Sequence, residues 1–290
     1  MFQHIDYGGE TSMNSRKSTF EYKGFSINYE DQGQGQPIIL LHGFGASNYT
    51  WRYFLSYFSK AYRVIAIDLK GHGLSDKPMD NNYSVADQSE IIYEFIRVHN
   101  LDNVTLVGNS MGGAVSIITY LIECEHGTHH ISKLVLIDSA SYKQRLPDFI
   151  SILTIPIINK LSLCLTSTKF RARKVLKQAI FDRTKITDEM VETYASYGSL
   201  PGASHALIRT AQQIVPSDYD ENELSERFKS IKIPVFIIWG EKDTIIPLQI
   251  GRKLAANIPD SKLIIIPNCG HTPQEECPSQ AIEAMESFMS

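Results

Sequence analysis

Gly108-Asn109-Ser110-Met111-Gly112 is the stretch of this chain best suited to nucleophilic chemistry. It follows a short apolar run, Val104 to Val107, and precedes an apolar pattern of helical length. That spacing predicts strand, sharp turn and helix, with Ser110 at the apex. Such a turn forces the serine into a strained conformation, and the glycines two before and two after it keep side chains out of the corner. A serine hydroxyl is a feeble nucleophile at neutral pH. It needs a base oriented by a third group, and acyl transfer needs donors for the oxyanion.

His271, in Asn268-Cys269-Gly270-His271-Thr272-Pro273, follows the last apolar run and is the expected base. Of the nine histidines, His4, His99, His126, His129, His130 and His205 read as surface or satisfied core groups. His42 and His72 lie in glycine-bearing turns and read as structural hydrogen-bonding groups, because a base in this chain order comes last. Asp243, just past the run Val235 to Trp239, is the expected orienting acid. Asp138, which ends an earlier apolar run, is the alternative acid, and Glu241 is expected to face solvent. His42-Gly43-Phe44-Gly45 follows Pro37 to Leu41, and the N–H groups of Phe44 and Met111 are the expected oxyanion donors. His42, Gly43, Asn109, Phe149 and Leu153 are expected to line a substrate pocket, and no metal ligand set is read.

The elements that must position these groups follow from periodicity. Phe20, Tyr22, Phe25, Ile27 and Tyr29 alternate with polar residues around Lys23-Gly24, which predicts an antiparallel hairpin at a sheet edge. Pro37 to Leu41, Val64 to Ile67, Val104 to Val107, Leu134 to Ile137, Val235 to Trp239 and Leu263 to Ile266 are continuous apolar runs. Strands of that kind belong to a mostly parallel sheet covered by helices on both faces, an α/β fold. Ser84 and Asp87 form a capping box ahead of Ile91, Ile92, Phe95 and Ile96, and the last helix is expected to start near Pro278. Between residues 141 and 226 the strand-like runs give way to helical patterns, which predicts an inserted helical cap. The chain then divides into a lead-in (1–19), a core in two parts (20–140 and 227–290) and the cap.

At 290 residues and 43% apolar content, one domain with an insertion fits the length. A net charge of -4 supplies no basic field for nucleic acid and favours a small-molecule partner. Four scattered cysteines read as free thiols rather than a disulfide framework, and the N-terminus lacks the apolar core of a secretory signal, so a cytoplasmic location is the expectation. Phe149 to Thr166 is strongly apolar but is interrupted by Pro156, Asn159 and Lys160, which makes it a poor membrane span. The basic run after it, Lys169 to Lys177, reads as a solvated helix face that could favour an anionic lipid surface.

With these residues in view, the chain resembles the α/β-hydrolase superfamily from about Phe20 to Ser290. His42 to Gly45 resembles its oxyanion loop, Asp68 to Ser75 the loop after its next parallel strand, and Gly108 to Gly112 its nucleophile elbow. The chain is most similar to capped serine esterases, monoacylglycerol-lipase-like enzymes and the carbon-carbon bond hydrolases of meta-cleavage products. Epoxide hydrolases and haloalkane dehalogenases are similar too, but they carry aspartate where this chain has Ser110. The resemblance implies an eight-stranded α/β-hydrolase fold and a cofactor-free serine carboxylester hydrolase, monomeric or homodimeric. Cleavage of a vinylogous diketone is the nearest alternative, perhydrolysis shares the same residues, and a non-catalytic ligand-binding module is the rival of another class.

Overall fold

The computed structural model describes residues 16–214 and 220–289. Its centre is one eight-stranded sheet in the order β1-β2-β4-β3-β5-β6-β7-β8, built from Arg16–Tyr22, Phe25–Gln32, Pro37–Leu41, Arg63–Ile67, Val104–Asn109, Ile131–Ile137, Val235–Gly240 and Ser261–Ile266, numbered in chain order. β1 pairs antiparallel with β2, β2 pairs antiparallel with β4, and the rest are parallel. Lys23 and Gly24 both adopt positive φ, the backbone of a two-residue turn whose twist matches the strands it joins.

The α-helices are α1 (Arg52–Phe58), α2 (Val85–Val98), α3 (Met111–His126), α4 (Asp148–Thr154), α5 (Ile158–Leu165), α6 (Thr168–Ala179), α7 (Asp188–Gly198), α8 (Ala203–Gln213), α9 (Glu221–Lys229), α10 (Leu248–Asn257), α11 (Pro273–Glu276) and α12 (Pro278–Met289). The Ser84 hydroxyl accepts the Asp87 N–H while the Asp87 carboxylate accepts the Ser84 N–H, so the capping box forms at the start of α2. The Thr187 hydroxyl caps α7 by accepting the Met190 N–H, without the return bond.

Alternation along the strands sends side chains to both faces. Ile39, Leu41, Leu106, Ile237 and Trp239 join Ile91, Val115 and Leu254 from α2, α3 and α10. Ile38, Leu40, Val107, Phe236 and Ile238 meet Phe54 and Phe58 of α1 and Ile282 and Met285 of α12. Each such buried side chain contributes roughly 1.5–3 kcal/mol, which makes the sheet a rigid platform for the loops at its carboxyl end. β8 departs from the expectation of burial on both faces. As an edge strand it leaves most of its residues only half-buried.

Two expected boundaries move. β1 begins at Arg16, so the lead-in drawn to residue 19 overlaps a strand whose pairing with β2 starts at Arg16↔Asp31. The helical segment between β6 and β7 holds α4 to α9, but the limit drawn at 226 cuts through α9. Phe228 of that helix is buried with Tyr142 against the sheet-side core, so by packing α9 belongs to the body. The remaining insertion has small cores of its own, Leu176, Ile180, Met190 and Val191 between α6 and α7, and Ile150, Leu153 and Ala211 between α4 and α8. Cys124, Cys164, Cys269 and Cys277 are all free thiols.

Candidate active site

Ser110 joins β5 to α3 with φ 55° and ψ -119°, a conformation that costs a non-glycine residue strain and turns its side chain out of the sheet. Besides the bonds its carbonyl accepts from the first turn of α3, two backbone bonds tie it to the neighbouring strand and the residues just past it: its N–H donates to Ile137 O (3.0 Å), and its carbonyl accepts from Ala140 N (2.9 Å). The glycines on either side are required by contact. A Cβ on Gly108 would sit 2.2 Å from Gly112 O, and one on Gly112 would sit 2.2 Å from Leu41 O. Gly112→Ala is therefore expected to push α3 off the end of β3 and to cost about 3 kcal/mol, the upper range for overpacking. A urea-unfolding midpoint equal to the parent's would contradict that close approach.

His271 lies in the loop between β8 and α11 and is buried, 5% exposed. Its Nδ1–H donates to Asp243 Oδ2 at 2.7 Å, which leaves Nε2 as the ring's free lone pair. The other Asp243 oxygen accepts the N–H groups of Ile245 (2.7 Å) and Ile246 (3.0 Å), so the carboxylate is held from both sides. Asn109, one residue before the serine, donates through Nδ2 to His271 O and Ile137 O, both at 3.1 Å. The strand that leads into the serine therefore also grips the histidine loop.

Asp138 also sits at this end of the sheet, fully buried, with φ 44°. Its Oδ1 accepts the Gly240 N–H at 2.9 Å, and its Oδ2 has no hydrogen-bond partner within bonding distance among the described residues. Burial first, and then the charge of Asp243, hold its carboxyl well above the usual carboxylate range, which favours its protonated form. Ligand atoms of Asp138, Asp243 and His271 lie within 4.8 Å of one another, a spacing compatible with a metal ion. The facing atoms of Asp243 and His271 are already committed to each other, which fits an acid-base relay. Glu241 is exposed and accepts the Asn268 N–H, so it does not compete for the imidazole.

Ser110, His271, Gly43, Phe44 and Asn109 all face one cavity of about 260 Å³, whose remaining wall includes Phe149, Leu153, Leu163 and Ile245. The hydroxyl and the imidazole share that cavity without a hydrogen bond between them among the described residues, as is common in unliganded sites. A Cβ on Gly43 would lie 3.0 Å from the Ser110 Cβ, which shows how closely the β3 loop approaches the serine. No hydrogen bond occupies the N–H of Phe44 or Met111 among the described residues, so both donors are open.

His42 departs from its place on the expected pocket wall. Its Nδ1 donates to Gly43 O (2.8 Å) and its Nε2 accepts the Leu69 N–H (3.0 Å), which turns the ring into the body and away from the cavity. Burial pushes it down to about 4, so it stays neutral and shapes the loop. His72 is held similarly, with Nδ1 donating to Lys70 O. His4 lies outside the described residues.

Several contributors had no legible signal in the sequence. The buried Glu276 carboxylate accepts the N–H of Gly270 (2.7 Å) in the histidine loop and those of Phe181 (3.1 Å) and Asp182 (2.8 Å) just beyond α6. Glu275, on the cavity wall, pairs with Arg52 (2.6 Å) and accepts the Tyr194 hydroxyl (2.6 Å) from α7.

Comparison with known proteins agrees with this geometry. The sequence matches the family described as alpha/beta hydrolase fold over residues 36–278. The chain belongs to that family. This α/β hydrolase is 31% identical over 274 residues to the 2-hydroxy-6-oxo-6-(2'-aminophenyl)hexa-2,4-dienoic acid hydrolase of Metapseudomonas resinovorans, covering 92% of this chain and 88% of the relative. Among solved structures, it superposes with a TM-score of 0.80 on a serine hydrolase involved in carbazole degradation, at 28% identity over 95% of this chain and 99% of the other. An esterase from Exiguobacterium antarcticum matches with a TM-score of 0.79 at 25% identity, over 94% and 99% of the two chains. No helix among the described residues is long and apolar enough to cross a membrane.

Proposed function

We propose that this α/β hydrolase cleaves carboxylic esters of small, neutral, apolar substrates through an acyl-enzyme. The observation that carries the reading is the single cavity on which Ser110, His271 and the Gly43-Phe44 turn converge beneath a largely apolar wall. Ser110 Oγ attacks the ester carbonyl as His271 Nε2 takes its proton, and the N–H groups of Phe44 and Met111 receive the oxyanion. The C–O bond then breaks, and His271 returns the proton to the departing alcohol. Water, activated by the same imidazole, attacks the acyl-serine and releases the acid. Asp243 fixes the ring through Nδ1, which leaves Nε2 to act as the base, and stabilises the imidazolium. An apolar wall suits this chemistry because burying an acyl chain supplies binding energy at about 25 cal/mol per Å². We read α4 to α8 as the cap over this cavity.

Cleavage of a carbon-carbon bond is the second reading, favoured by the 31% identical dienoic acid hydrolase. A dienoate brings a carboxylate that needs a cationic partner. The cations at this wall are Arg171, whose Nη1 is hydrogen-bonded to the carbonyls of Leu163 and Thr166, and Lys174, which is exposed. The buried Glu275 is a poor neighbour for an anion, which is why the neutral ester is preferred.

The test is a turnover panel of p-nitrophenyl esters of graded acyl length alongside 2-hydroxy-6-oxo-hexadienoates. Ester kcat/KM is expected to exceed that of the dienoates and to peak at short to medium chains. Dienoate turnover with inert esters would reverse the assignment. Failure of Ser110 to react with a fluorophosphonate, in folded protein, would favour a binding module.

A further inference from the structure

We propose that the face formed by α5 and the start of α6 docks on an anionic lipid surface and opens the cavity toward it. The apolar side chains here are exposed: Ile157 80%, Leu165 74%, Phe170 58% and Leu161 53%. A patch of this kind on a chain with so well-buried a sheet calls for a covering partner. Ile158, Leu161 and Leu165 fall at helical spacing on one face of α5, and all three are exposed. Ile157 itself is held at φ 70°, a costly backbone for a β-branched residue, and its side chain gains no burial in return.

Charge selects the occupant. Residues 149–181 contain Lys160, Lys169, Arg171, Arg173, Lys174 and Lys177 and no aspartate or glutamate, in a chain whose net charge is -4. Lys169 pairs with Glu192 and Arg173 with Asp188. Lys160, Lys174 and Lys177 are exposed and form no ion pair among the described residues. Phe170, Lys174 and Lys177 recur at i, i+4 and i+7 on one face of α6, which sets an exposed aromatic ring beside two ammonium groups. Apolar side chains among cations fit an interface of acyl chains and anionic headgroups. A second copy of the chain would bring the same positive charge against itself. The patch is continuous with the site, since Ile152, Phe170 and Lys174 also line the cavity. Docking would therefore bring the cavity mouth to the phase where apolar esters dissolve. That last step rests on the ester reading, whereas the docking does not.

The experiment is co-sedimentation of the full chain with vesicles of phosphatidylcholine alone or mixed with phosphatidylglycerol, read without any turnover. Binding is expected only with phosphatidylglycerol present, and it should fall with added salt. Lys160→Glu/Lys174→Glu/Lys177→Glu should weaken it on the order of 100-fold, from about 1 kcal/mol per lysine near an anionic surface. Leu161→Asp/Leu165→Asp should abolish it while the protein still melts cooperatively. Equal binding to both vesicle types, binding unchanged by either variant, or a dimer that the leucine variant dissociates in sedimentation velocity would each overturn the proposal.

Discussion

Ser110→Ala is expected to remove ester turnover by a factor on the order of 10⁴ to 10⁶ while leaving the melting curve cooperative. The size follows from the role proposed for the hydroxyl: without it no acyl-enzyme forms, and what remains is the oxyanion site acting on water. The fold should tolerate the change, because Ser110 is only partly buried and its strained backbone is held by main-chain bonds to Ile137 and Ala140. Alanine keeps those bonds, so unfolding free energy should move by less than about 1 kcal/mol. Hydrolysis of a p-nitrophenyl ester, fluorophosphonate labelling and a thermal melt on the same sample read all three consequences. Turnover within tenfold of the parent would remove Ser110 from the chemistry.

The second large effect separates two carboxyl groups that sit side by side. Asp243→Asn should lower kcat on the order of 10³- to 10⁴-fold. Its carbonyl would still accept the Ile245 and Ile246 N–H groups, so the amide NH₂ would face His271 Nδ1 and force the tautomer with Nε2 protonated. Asp138→Asn should change kcat less than about threefold. Burial and the charge of Asp243 already disfavour the ionised form of Asp138, and an asparagine can accept from Gly240 N as the acid does while offering an N–H toward Asp243. Steady-state kinetics of the two variants decide the matter. A larger loss at 138 than at 243 would make Asp138 the orienting acid.

That pair also marks where sequence reading stops. The serine turn, the parallel strands and the cap of α2 are local signals carried by adjacent residues, and they are visible without a fold. Choosing between Asp138 and Asp243 is different, because both follow parallel strands and both reach the same end of the sheet. The choice is made by the bond that joins His271 Nδ1 to Asp243 Oδ2, while Asp138 commits one oxygen to the Gly240 N–H. His42 was open to misplacement for a related reason. A histidine beside an oxyanion turn can face either way, and what turns it inward is Leu69, 27 positions on. Asn109 and Glu276 hold the histidine loop through partners up to 162 positions away, and no spacing rule reports such pairings. The apolar run Phe149 to Thr166 was legible as a large greasy store, yet only burial shows that Ile150 and Leu153 point inward while Ile157 and Leu165 do not.

The stitching around Glu276 bears on how the enclosed space is entered. His271 N–H donates to Ala179 O at 2.7 Å, and Glu276 ties Phe181 and Asp182 to the same turn. The C-terminal end of α6 is thus fastened to the main chain of the residue that carries the proton. Any swing of the roof about that end would drag the imidazole out of register with its acid. Traffic in and out must use the opposite margin, where α4 and α5 rest on α8 through Ile150, Leu153, Leu163 and Ala211, and where displacement leaves the relay undisturbed.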